Sequence, residues 1–350
     1  MKRCLELAQR GMGFTAPNPM VGAVLVCGDK IIGEGFHRCC GEAHAEVNAI
    51  NSVKNKKLLK DSTLYVNLEP CSHYGKTPPC AELIIKSGIP QVVIATHDPF
   101  PEVAGKGINM LQKAGIETIT GIMEREAIEL NRYFMTAQYK HRPYIILKWA
   151  QSKDGFIDRI RTSDSEKPVK LSSSITQIML HKLRSEVQAI MIGTNTAVLD
   201  NPELTVRHWS GKLPLRIVID RHQRIPENSR FFDGNSPALV ISDQNLISNG
   251  AEYLKVTESP DFLKDILSIL YKRGINSLLV EGGAKLHSSF IKNDLWEEIR
   301  IETVPFRLGS GIRAADIKNC KDLKLIEKKI IPHYRKGNEN KSLLEVYVHL

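Results

Sequence analysis

Short apolar runs of β type alternate with helical periods along nearly the whole chain, and the alternation is broken once, at Gln138-Tyr139-Lys140-His141-Arg142-Pro143. Before the break, strands are expected at Val21–Val26, Leu64–Leu68, Val92–Thr96 and Glu117–Thr120. Helices are expected at Cys4–Arg10, Ala45–Ser52, Ala81–Ser87, Gly107–Ala114 and Glu124–Ala137. After it, strands are expected at Tyr144–Trp149, Ala189–Ile192, Arg216–Asp220, Ala238–Ile241, Ser277–Val280, Glu298–Val304 and Leu343–Leu350. Helices are expected at Ser173–Glu186, Asp261–Arg273 and Lys285–Asn293. Such alternation builds mixed sheets covered by helices on both faces. The 350 residues are ample for two domains, here 1–140 and 143–350. Residues 221–260 and 311–342 read as loop-rich.

Chemistry enters in the first half through three fragments: His44-Ala45-Glu46, Pro70-Cys71 and Pro79-Cys80. One imidazole and two thiolates can hold zinc and leave its fourth position open for water, the pattern of a catalytic site. A glutamate two residues after the histidine suits an acid/base that is not itself a ligand, the arrangement of zinc-dependent nucleobase deaminases. Pro79 suits the start of a helix, where its missing N–H is not needed. A thiol at a helix N-terminus has a lowered pKa and binds metal more readily. A closed structural zinc site would need a fourth ligand, for which His73 is the candidate, but it leaves the His-x-Glu spacing without a purpose. His37 and His97, taken singly, suit hydrogen-bonded or surface positions.

Composition narrows the partners. The formal charge of +9 suits a chain that handles phosphorylated ligands, but no dense Lys/Arg tract of nucleic-acid type is present. No apolar run approaches the roughly 18 residues that cross a bilayer. The amino terminus, Met1-Lys2-Arg3-Cys4-Leu5-Glu6, is charged throughout, unlike a signal peptide. Seven cysteines, an odd number without framework spacing, suit reduced thiols in a cytoplasmic protein.

The second half offers two weaker signals. The run Leu278-Leu279-Val280-Glu281-Gly282-Gly283 is a buried strand ending in glycines before a helix, a junction where backbone amides can approach a phosphate. The run from Gly193 to Arg207 gathers hydroxyls, a carboxylate and an arginine in one loop, and Arg184 adds a possible phosphate clamp.

Together, Pro17-Asn18-Pro19-Met20-Val21-Gly22-Ala23-Val24, His44-Ala45-Glu46 and the run Glu69-Pro70-Cys71-Ser72-His73-Tyr74-Gly75-Lys76-Thr77-Pro78-Pro79-Cys80 resemble the pyrimidine deaminases of riboflavin biosynthesis. Eight residues separate the two thiols, against two in the tRNA adenosine and cytidine deaminases. The second half resembles the reductase domain of the bifunctional family. The resemblance implies an N-terminal cytidine-deaminase-like three-layer αβα domain and a C-terminal dihydrofolate-reductase-like α/β domain. It also implies zinc on His44, Cys71 and Cys80, with Glu46 as the proton donor. NADPH would lie against Ala150, Thr196, Asp200 and the stretch Gly283, Ala284, Lys285, Leu286, His287, Ser288 and Ser289. Substrate would meet Arg184, Leu204, Arg207 and Glu281. Asp200 stands either against the cofactor or in proton transfer, and the residues leave both open.

The implied reactions are deamination of a phosphoribosylaminopyrimidine to a uracil, then reduction of its ribosyl group to ribityl. The implied partner is a small phosphorylated pyrimidine, not nucleic acid or membrane, and an even-numbered homo-oligomer is expected from symmetry. The rival readings are a nucleic-acid base deaminase with an accessory domain and a non-catalytic zinc- and nucleotide-binding protein. The chain departs from the family at Ala43, where proline is usual. It departs again at Pro168-Val169-Lys170-Leu171-Ser172, where the family has a Ser-x-Trp-Ile-Thr-like run, so no role is carried onto Pro168 or Lys170.

Overall fold

In strand β1 (Gly22–Cys27), successive side chains leave on opposite faces, and both faces are covered. The structure, a computed structural model, describes all residues except 75–77, 101–103, 164, 245–249, 258, 336–337 and 350. It falls into two units, Met1–Arg142 and Pro143–Leu350.

In the first unit, Val24 packs against Cys4 and Leu7 of helix α1 (Lys2–Gln9). Ala23 and Leu25 face the main core with Ala45 and Ala49 of α2 (Ala45–Ser52), Ile84 of α3 (Cys80–Lys86) and Leu111 of α4 (Lys106–Lys113). The remaining strands are β2 (Lys30–Phe36), β3 (Ser62–Val66), β4 (Gln91–Ile94) and β5 (Glu117–Thr120), in the order β2-β1-β3-β4-β5. β1 runs antiparallel to β2 and β3, whereas β3, β4 and β5 are parallel. The result is the three-layer αβα architecture.

β2 carries Gly33 and Gly35 among charged residues, so its apolar signal is too thin to be read from sequence. The helix expected over Glu124–Ala137 is two helices, α5 (Glu124–Leu130) and α6 (Arg132–Lys140). Asn131 interrupts them because its side chain bonds to the backbone of Met20, accepting from its N–H at 2.8 Å and donating to its carbonyl at 2.9 Å.

The second unit is built on a nine-stranded sheet. Its strands are β6 (Tyr144–Gln151), β8 (Ala189–Gly193), β9 (Leu215–Ile219), β10 (Ala238–Ser242), β11 (Glu252–Lys255), β12 (Ser277–Gly282), β13 (Glu298–Thr303), β15 (Leu323–Arg335) and β16 (Asn338–His349). β7 (Phe156–Asp158) and β14 (Ile312–Arg313) pair apart from it. The order is β11-β10-β9-β8-β12-β6-β13-β16-β15, parallel as far as β13 and antiparallel in the last two strands. Helices α7 (Ser174–Glu186), α8 (Thr194–Asp200), α9 (Phe262–Lys272) and α10 (Ala284–Lys292) complete the unit. Its core joins Ile145, Leu147, Met191, Ile217, Leu278 and Phe290.

Two expectations are corrected here. Thr194–Asp200 is a helix and not part of a loop. Much of 311–342 is strand: β15 pairs along its length with β16. β15 lies at the sheet edge, where lysines interrupt the apolar pattern as edge strands commonly require. Leu350, expected to end the last strand, lies outside the described residues.

Candidate active sites

In the first unit, His44 is the N-cap residue of α2, and Cys80 is the first residue of α3, behind Pro79. Cys71 lies in the turn between β3 and α3. His44 Nδ1 stands 3.6 Å from Cys71 Sγ and 3.4 Å from Cys80 Sγ, and the three atoms lie within 4.8 Å of one another. Zinc–sulfur bonds of about 2.3 Å and zinc–nitrogen bonds of about 2.05 Å, at the tetrahedral angle, set N–S separations of about 3.5 Å. Both nitrogen–sulfur separations therefore match the spacing zinc requires.

The electrostatics agree with a metal-binding thiolate. Cys71 is held well below the ordinary thiol range by hydrogen bonds from Cys80 and His44, and it also accepts the backbone N–H of Cys80 at 3.3 Å. That thiolate in turn raises His44 to about 8. A metal would take the place of the protons these groups share. Glu46, on the first turn of α2, is buried, and burial pushes its carboxyl up to about 7, with the Cys71 charge adding to the effect.

His73 does not join the cluster; its ring meets Phe100 edge-on. His37 is a hydrogen-bonded neighbour: it contacts Ala43 O through Nδ1 and the Asn18 amide through Nε2, and its ring lies edge-on to His44 at 5.4 Å. Gly75, Lys76 and Thr77 of the long inter-thiol run lie outside the described residues.

In the second unit a cleft of about 310 Å³ opens at the carboxyl ends of β6 and β12, the edge of a parallel sheet where ligands ordinarily bind. Ala150, Thr196, Asp200, Glu281, Gly283 and His287 line it. A Cβ on Gly283 would come within 3.1 Å of Thr196 Oγ1, so the strand end and α8 approach closely because that side chain is absent. His287 contacts Val280 O at 3.0 Å through Nε2, and its Nδ1 is buried without a partner. Burial pushes His287 down to about 4, so the ring that helps line the cleft is neutral.

Other expected residues stand apart from the cleft lining. On α10, Lys285, Ser288 and Ser289 are exposed, and Ala284 and Leu286 are half-buried. Leu204 is buried, and Arg207 pairs with Glu203. Arg184 is not a free clamp: its guanidinium grips Glu281 with two hydrogen bonds, of 2.7 and 2.6 Å, and reaches Thr205 O at 2.9 Å. Asp200, within the lining, is ion-paired with Arg161.

Lys148, which by the resemblance fits the family's entry strand, also lines the cleft, and burial lowers its pKa against the opposing charges of Glu302 and Glu281. A lysine inside the apolar run Tyr144–Trp149 is the signal that marks it. Pro168 and Lys170 also form part of the cleft wall. That wall is fixed by Asp158, which accepts from Val169 N at 2.9 Å, and by Glu302, which accepts from Ser172 Oγ at 2.7 Å. The departures from the family run thus fall on the cleft itself.

Residues 143–333 match the profile of the RibD C-terminal domain, and residues 1–96 match that of the cytidine and deoxycytidylate deaminase zinc-binding region. The riboflavin biosynthesis protein RibD of Bacillus amyloliquefaciens is 42% identical over 322 residues, covering 89% of this chain and 85% of that protein. RibD of Aquifex aeolicus is 41% identical, covering 91% and 89%. The chain belongs to the RibD family. Among solved structures, the Thermotoga maritima diaminohydroxyphosphoribosylaminopyrimidine deaminase/5-amino-6-(5-phosphoribosylamino)uracil reductase superposes with a TM-score of 0.87 at 34% identity, covering 100% of this chain and 97% of that one. Acinetobacter baumannii RibD gives 0.86 at 33%, covering 99% and 97%. As a RibD-family protein, the chain is a bifunctional enzyme of riboflavin biosynthesis, with a zinc-dependent deaminase half and an NADPH-dependent reductase half. No helix among the described residues is long and apolar enough to cross a membrane.

Proposed function

We propose that the chain performs two consecutive steps on one small phosphorylated pyrimidine, deaminating the ring in the first unit and reducing the ribosyl group to ribityl in the second. The observation that carries this reading is the triangle of His44, Cys71 and Cys80, three donors at zinc spacing with the buried carboxyl of Glu46 beside them. Zinc on these ligands supplies Lewis-acid activation of the attacking water. Glu46, with its raised pKa, takes a proton near neutral pH and returns it to the departing amine.

In the cleft, NADPH supplies the hydride for the ribosyl carbon. The neutral ring of His287 forms part of the wall against which the cofactor would lie. Lys148, beside Glu281, holds a proton that burial makes easier to release into the cleft. Arg184 keeps Glu281 ionised and oriented, and so shapes the substrate side of the cleft through that carboxylate.

The same reading has the protein acting as an even-numbered homo-oligomer in the cytoplasm. None of the seven cysteines is in a disulfide, which accords with a reducing compartment. The outer edge of β15, with Leu325, Ile326 and Ile330 exposed, is a surface such an assembly can cover.

Metal analysis tests the ligand set. The wild-type chain is expected to hold about one zinc, and Cys71→Ser to lose zinc and deamination together while NADPH oxidation with supplied aminouracil persists. Full zinc retention in Cys71→Ser contradicts the assignment.

A further inference from the structure

Glu69 directly precedes the Pro70-Cys71 turn, and its side chain is wholly buried. Its oxygens accept four backbone N–H groups. Oε1 takes Gly107 at 3.0 Å and Ile108 at 3.2 Å, and Oε2 takes Gly105 at 3.0 Å and Asp98 at 3.3 Å. A carboxylate is acceptor-only with about four lone-pair sites, which the four backbone donors can occupy, and Nδ1 of His97 stands 3.6 Å from Oε2. Gly105 is the N-cap of α4, and Gly107 and Ile108 lie in its first turn, where amides have no partner within the helix. The approach is close: a Cβ on Gly107 would lie 2.0 Å from the carbonyl oxygen of Pro70, the residue before Cys71.

We propose that Glu69 is a positioning residue of the zinc centre. By clamping the start of α4 against Pro70, it holds the Cys71 thiolate at the distance from His44 and Cys80 that the metal requires. The inference rests on the reading of those three residues as zinc ligands, which by itself gives Glu69 no role. A carboxylate is needed: glutamine would turn an NH₂ group toward two N–H donors. Coupling between clamp and metal is reciprocal, so a clamp that favours zinc is itself tightened by zinc.

Amide hydrogen exchange on the full-length wild-type protein, zinc-loaded and then chelated, tests this without any substitution. Removing zinc is expected to speed exchange at Gly105, Gly107 and Ile108 by about 10-fold or more, while Val92–Ile94 of β4 stay unchanged. Equal rates in a protein shown to have lost its zinc overturn the positioning role alone. A wild-type chain that binds no zinc overturns the ligand reading beneath it. Glu69→Gln is expected to weaken zinc binding about 10–100-fold in chelator competition, the usual loss for a group that orients a ligand. It is also expected to alter the thiolate-to-metal band of the cobalt-substituted protein, with partial rescue in Glu69→Asp and NADPH oxidation unchanged. A folded Glu69→Gln with wild-type zinc affinity overturns the proposal. If that variant does not fold, the exchange comparison decides.

Discussion

At the scale of single residues, the two units hold buried ionisable groups whose surroundings set their charge. His287 is held neutral down to about pH 4, whereas an unfolded histidine titrates near 6.5. Between those values the unfolded chain binds the extra proton, so stability falls as pH drops from 6.5 towards 4 and is complete above 6.5. The full effect is about 3 kcal/mol. Urea unfolding of the second unit is expected to show a loss in that window from His287 together with His181, which is also pushed down to about 4, and to lose the His287 share in His287→Asn. An equal slope in both contradicts the assignment. Arg184 and Glu281 form a buried pair in which truncation strands a charge. Arg184→Ala is expected to destabilise the second unit by about 3–5 kcal/mol, read from the denaturation midpoint. A change below about 1 kcal/mol contradicts it.

At the scale of elements, the joint between α5 and α6 shows how one side chain overrides helical periodicity. Asn131→Ala removes the acceptor for the buried Met20 N–H, and the orphaned donor is expected to cost the first unit about 1–3 kcal/mol in thermal or urea unfolding. No loss contradicts the hydrogen-bond account of the break. The same joint marks the limit of what sequence reveals. Strands with compact apolar runs, such as β4 and β12, are legible because both faces are buried. β15 is not, since its lysines and glutamate mask an edge strand whose pairing with β16 is visible only in three dimensions. The zinc triangle is legible because residue type and spacing alone define a ligand set. The cleft is only half legible: the glycines after β12 announce it, but the grip of Arg184 on Glu281 joins residues almost a hundred positions apart. The role of Glu69 is hidden for the same reason, since three of its four backbone partners arrive with the start of α4.

At the scale of the whole molecule, one chain joins two chemistries that need different cofactors, and each unit carries its own site. Zinc chemistry rests on two helix starts and the turn at Cys71 in the first unit, and hydride chemistry on the carboxyl ends of parallel strands in the second. The two activities are therefore expected to separate cleanly by mutation. The most direct measurement is made on full-length Glu46→Gln loaded with zinc, following ammonia release from the diaminopyrimidine substrate and NADPH oxidation with the deaminated intermediate supplied. Deamination is expected to fall by about 10²–10⁴-fold while NADPH oxidation stays at the wild-type rate. Deamination that survives the substitution, or loss of both activities in a folded, zinc-loaded protein, contradicts the two-site account.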